Sequence, residues 1–111
     1  MRLERIPLVE LDGAPGVTLG ALDPGASPGH VRVDVAVLAP GSSLPRHPAG
    51  REQVFYVVAG HGRVAGGDDV AVGISAGWAA TWEAGEVHTS WADSEMTVLI
   101  VQRRPLDVEP G

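Results

Sequence analysis

The stretch Val31-Arg32-Val33-Asp34-Val35-Ala36-Val37 alternates with a period of two. Successive side chains of an extended chain point to opposite faces, so four valines share one face and Arg32, Asp34 and Ala36 the other. Outward from this run, the pattern repeats in short β-type segments cut by turn residues. Gln53 to Val58 is β-branched and aromatic. Gly62 to Ala65 and Val70 to Ile74 flank Gly66-Gly67-Asp68-Asp69, a hairpin-turn signal. Trp78 to Trp82, Val87 to Trp91 and Met96 to Gln102 complete the series, with weaker strand candidates at Ile6 to Leu11 and Val17 to Leu22. No dozen-residue window keeps a 3.6 repeat free of Gly or Pro, so helices are not expected. Evenly spaced strands without helices predict an all-β antiparallel sandwich or barrel.

The chain has 111 residues, enough for one domain and one core. Residues 1–111 are read as a single domain, with a core over about 31–101, N-terminal strands within 5–22 and a loose, proline-broken tail at 103–111. Several chemistries are excluded by composition. There is no Cys, which removes disulfides, thiolate nucleophiles and Cys-ligated zinc. All eight basic residues are Arg, so there is no Schiff-base or P-loop lysine. A net charge of −6 disfavours nucleic acid as a partner. The N-terminus carries no apolar signal region and no apolar run is long enough to span a bilayer, so a cytoplasmic protein without membrane contact is expected. The serines lack a nucleophile-elbow context.

Two stretches carry candidate chemistry. Residues 41–60 place Gly41, His47 and Gly60, with Ala49 and Gln53 between them; residues 77–92 place Gly77, Gly85 and His88. In this register they resemble the two signature motifs of the cupin superfamily, which are small jelly-roll or double-stranded β-helix barrels. The first motif runs Gly, five residues, His, one residue, His, three or four residues, Glu, six residues, Gly. The second runs Gly, five residues, Pro, one residue, Gly, two residues, His, three residues, Asn. Both spacings hold without a gap, and 16 residues separate the motifs. The chain departs at four positions: Ala49 replaces the second His, Gln53 the Glu, Glu83 the Pro and Ala92 the Asn.

The resemblance implies a divalent metal (Fe, Mn, Zn, Ni or Cu) held by His47, Gln53 and His88, since imidazole ligands suit such ions. This neutral set should bind more weakly than the full one. Glu52 is the alternative acid; strand parity puts it opposite Gln53, but Pro48 and Gly50 make parity insecure there. A shifted alignment, with His47 as the second His and Glu52 as the acid, puts Ala59 where the closing Gly belongs.

Phe55 and Trp82 are expected to face inward and wall a ligand pocket, and Arg51, with Arg46, to flank its mouth. His30 and His61 follow glycines and read as solvated loop residues. Many such barrels pair through an outer sheet, and the outward Tyr56 and Trp91 suit a homodimer. The function this implies is small-molecule binding, with metal-assisted oxygenation or isomerisation as its chemistry. The rival is a metal-free binding or sensing module. A third reading makes His88 the acid/base of a metal-free enzyme.

Overall fold

A computed structural model describes residues 1–22 and 31–103. His30 and the tail beyond Arg103 lie outside them. Every regular element among the described residues is a strand: β1 (Val9–Glu10), β2 (Val17–Ala21), β3 (Val31–Leu38), β4 (Ser43–Pro48), β5 (Glu52–Ala59), β6 (His61–Ala65), β7 (Val72–Ser75), β8 (Ala79–Trp82), β9 (Val87–Ala92) and β10 (Met96–Arg103). They form a six-stranded sheet, β1-β2-β3-β10-β5-β8, and a four-stranded sheet, β4-β9-β6-β7, all antiparallel. The expected all-β jelly roll is therefore present, as two facing sheets whose free edges are not zipped into a closed barrel. No described helix is long and apolar enough to cross a membrane.

Alternation in β3 is as the sequence predicts, but its inward face is the even one. Asp34, Ala36 and Leu38 are buried, while Val33, Val35 and Val37 are half-buried on the outer side. The N-terminal segment crosses this outer face: a side chain at Gly20, which pairs with Val35, would meet Pro7 and Leu8. The outer valines are thus partly covered without belonging to the core.

That core lies between the sheets. Leu38, Phe55, Val57, Met96 and Val98 are fully buried in it, with Leu44, Val64 and Ile74 facing them from the smaller sheet. The glycines at which the two motifs register, Gly41, Gly60, Gly77 and Gly85, all have φ between 81° and 91°. Only Gly adopts this region without steric cost, which explains their positions in the pattern. At Gly60 a second constraint applies, because a Cβ would lie 2.0 Å from the Glu95 carbonyl oxygen.

Strand β4 was not foreseen, because Pro45 and Pro48 interrupt it. Proline is tolerated there because β4 is the edge of its sheet, where no inner neighbour needs the missing N–H. Opposite β9 it carries a bulge: Leu44 pairs with Ser90, but His47 pairs with His88. Three residues on β4 thus match two on β9, which adds one residue and reverses parity. Leu44 faces inward, so an unbulged strand would turn His47 outward; the bulge turns it back beside His88.

Candidate functional site

Along the inner face of the large sheet, polarity changes from one end to the other. Met96 pairs with Leu38, and Val98 pairs with Ala36 and Val57. Next comes a row of Asp34, Ile100, Phe55 and Ala80, and last a row of Arg32, Gln102, Gln53 and Trp82. His88 and His47 lie at this polar end, because His88 stacks on Trp82 with ring centroids 4.3 Å apart and planes at 17°.

His88 is 2% exposed. Its Nδ1 lies 3.3 Å from the Glu86 carbonyl. A carbonyl only accepts, so Nδ1 carries the hydrogen, and in the neutral ring Nε2 is left as a lone pair. That Nε2 is buried without a hydrogen-bond partner. Burial is the main cause that holds the His88 pKa below its ordinary value of 6.5; the Glu86 carbonyl opposes it and the neighbouring His47 adds to it. The imidazole is accordingly neutral near pH 7.

His47 lies with its ring centroid 4.3 Å from that of His88. Its Nδ1–H donates to the Pro45 carbonyl at 2.6 Å, a group displaced by the bulge. Both imidazoles are therefore oriented through Nδ1 by backbone carbonyls, which leaves Nε2 of each ring clear of that contact. Ser90, two residues beyond His88 on the same inner face, holds a second buried and unpartnered atom, Oγ.

The choice between Glu52 and Gln53 is decided by pairing. Gln53 is buried and faces inward opposite Trp82. Glu52 lies on the outer face, where it pairs with Arg103 across β5 and β10. Ala49 is 3% exposed, and its backbone is bonded to Gly85 and Glu86. A buried methyl group thus stands where the family motif has its second histidine. Among the described residues no group of three or more His, Cys, Asp or Glu is gathered where it could hold a metal ion.

The remaining expectations resolve unevenly. Trp82 is buried and inward-facing. Phe55 is fully buried and packs edge-on against Trp82 at 5.8 Å. Arg51 is half-buried in the turn joining β4 to β5, and Arg46 is engaged with Asp69 at 2.8 Å. His61 is exposed, as expected, but it opens strand β6, paired with Ser75, and is not a loop residue. Tyr56 and Trp91 both point outward, but from different sheets, and Trp91 lies under the Arg63 guanidinium at 5.2 Å. One flat interface cannot use both.

Asp34 was not singled out from the sequence. It is 1% exposed and takes Arg32 Nε at 3.0 Å. The spacing Arg-x-Asp on one strand face was the available signal. A cleft of about 640 Å³ was also missed; it lies between β7 and β8, behind Trp82.

Known proteins bear on this architecture. An RmlC-like cupin from Shewanella frigidimarina superposes with a TM-score of 0.78 at 16% identity, over 93% of this chain and 87% of that one. The polyketide cyclase RemF from Streptomyces resistomycificus gives 0.76 at 21%, over 98% and 87%. A predicted oxalate decarboxylase from Thermotoga maritima gives 0.75 at 22%, over 89% and 91%. These identities establish a shared fold. No curated protein matches the sequence. The profile of the Cupin_2 family, the cupin domain, matches residues 34–102, most of the chain and both motifs. With jelly-roll sheets, motif glycines and facing histidines in register, the chain belongs to the cupin family.

Proposed function

We propose that this cupin binds a small molecule at the imidazole pair of His47 and His88, and that a divalent transition metal is held there with Gln53. The observation that carries the reading is the buried, unpartnered Nε2 of His88 beside a second oriented imidazole. A buried acceptor without a partner costs about 1–3 kcal/mol, so a ligand that engages it recovers that cost. The donor set fits a metal that accepts neutral nitrogen ligands, with the Gln53 amide oxygen as the third donor. It supplies no negative charge, so binding is weak. The bound metal would polarise a ligand oxygen as a Lewis acid.

The chain's own residues set the conditions. Glu86 and Pro45 carbonyls fix the two rings. Trp82 covers one face of His88 and keeps water from it. Burial keeps His88 neutral and available. Arg51, in the turn tied to this end through the Ala49 backbone, would meet an anionic group of the ligand.

Metal analysis by plasma mass spectrometry, on tag-free protein dialysed against a weak chelator, tests the proposal. One metal per chain, lost in His88→Gln while the fold is retained, is the expected result. Metal retained in that variant, or no binding in a direct zinc or nickel titration, would overturn it.

A metal-free binding module is the second reading, and the buried Ala49 methyl favours it. In that case His88 Nε2 accepts a hydrogen bond from a ligand hydroxyl, and the same titration gives no metal at all.

A further inference from the structure

Strands β7 and β8 are the last strands of their respective sheets, and each leaves one edge unpaired. The two edges face each other across the cleft of about 640 Å³. Its volume falls in the range of small-molecule sites. Val64, Val72, Ile74, Trp78, Ala80 and Trp82 give it an apolar lining. Trp78 is 68% exposed, an unusual state for the largest apolar side chain.

One end of the cleft is built with care. Glu86 Oε1 accepts the Glu83 N–H at 3.1 Å and Oε2 the Gly67 N–H at 3.2 Å. This carboxylate ties the β6–β7 hairpin to the turn after β8. A side chain at Gly66 would collide with it, at 2.6 Å from Oε2. Asp68 caps the same hairpin by accepting the Val70 N–H at 3.0 Å. The titratable groups that line the cleft are these two acids, Asp68 and Glu86; no Arg or His lines it.

We infer that this cleft is a second binding site, separate from the imidazole pair, for a planar aromatic molecule that is neutral or cationic. The tryptophans supply flat apolar surface, with Trp82 shared: its ring stacks on His88 and also lines the cleft. The acidic rim repels anions and attracts cations. Unpaired strand edges offer backbone donors and acceptors for polar atoms on the ligand's rim. The site stands whether or not His47 and His88 take a metal.

The test uses the full chain and two fluorescent probes with the same three-ring body: neutral 1-aminoanthracene and anionic anthracene-9-carboxylate. The neutral probe should bind one per chain and quench tryptophan emission by energy transfer. Its affinity should fall about tenfold in Trp78→Ala, the loss of one aromatic contact. Val72→Arg, which fills the cleft from an exposed position, should abolish binding. The carboxylate should bind at least about tenfold more weakly than the neutral probe and recover part of that in Asp68→Asn, since one unit charge nearby accounts for roughly that factor. Thermal melts confirm folding of each variant, and Glu52→Gln, on the outer face, should leave probe affinity within about twofold. Neutral-probe affinity unchanged in both Trp78→Ala and Val72→Arg, or equal binding of the two probes, would overturn the inference.

Discussion

At one end of the sandwich the facing side chains are Leu38 and Met96, both fully buried, while at the other they are Arg32, Gln102, Gln53 and Trp82. The same three strands, β3, β10 and β5, run through both ends. The apolar end is sealed by close approach: a Cβ at Gly62 would lie 2.6 Å from the Met96 sulfur. Of the two buried side-chain atoms that lack a hydrogen-bond partner among the described residues, His88 Nε2 lies at the polar end, and Ser90 Oγ lies two residues further along β9, where Ser90 pairs with Leu44 and Val64. On the proposed function, stability and binding are separated along the strand direction. One end removes apolar surface from water, and the other keeps an unsatisfied polar group that a ligand can engage.

Substitutions at the two ends should behave oppositely. Leu38→Ala, at the apolar end, should cost about 2–5 kcal/mol in denaturant unfolding and leave metal or ligand stoichiometry of the folded protein unchanged. A loss of binding at constant stability would break the separation.

At the polar end the largest effect is a dependence on pH. The folded state holds the His88 pKa below 6.5, so below that pH the unfolded chain binds a proton that the folded chain refuses. Stability is fully present above about pH 6.5 and declines as pH falls toward the folded pKa, by at most about 1.4 kcal/mol per pH unit. Unfolding in the presence of a chelator, between pH 5 and 8, should show this decline. His88→Gln should flatten it. An equal slope in that variant would remove His88 as the cause.

Ser90→Ala removes a buried hydroxyl that lacks a partner, and should raise stability by about 1 kcal/mol in the ligand-free protein. Destabilisation would instead mean that the hydroxyl is satisfied, which leaves His88 Nε2 as the open acceptor. The smallest effect belongs to the outer face. Glu52→Gln should change stability by less than about 1 kcal/mol, because its ion pair with Arg103 is solvent-screened. Metal affinity should stay the same, which separates Glu52 from Gln53 as the inward group.

Much of the fold was legible because strand patterning is local. The runs at 31–37, 53–58 and 96–102 correspond to β3, β5 and β10 within one or two residues. Helix-free spacing and Gly-rich turns were enough for an all-β antiparallel sandwich or barrel; the jelly roll followed from the resemblance to the cupin motifs. The missed strand β4 reads as a loop, since prolines argue against a strand wherever its edge status is unknown. Phe55 shows the converse limit: its inward parity was legible, but not its edge-on packing against Trp82.

By itself the sequence determined the strand periodicity, the motif glycines that need positive φ, and the spacing that puts two histidines in register. These depend on backbone sterics and on residues a few positions apart. The tertiary structure decided which face of β3 is core, because the outer face is covered by a remote N-terminal segment. It also brought His47, which stays exposed, beside the buried His88, through a bulge that exists only against β9. The separation of Glu52 from Gln53 followed from the position of β5 within its sheet. The cleft beside Trp78 has no local signature at all, because its walls are the unpaired edges of two different sheets. Burial and edge status are properties of neighbours distant in the chain, and periodicity within one strand carries no information about them.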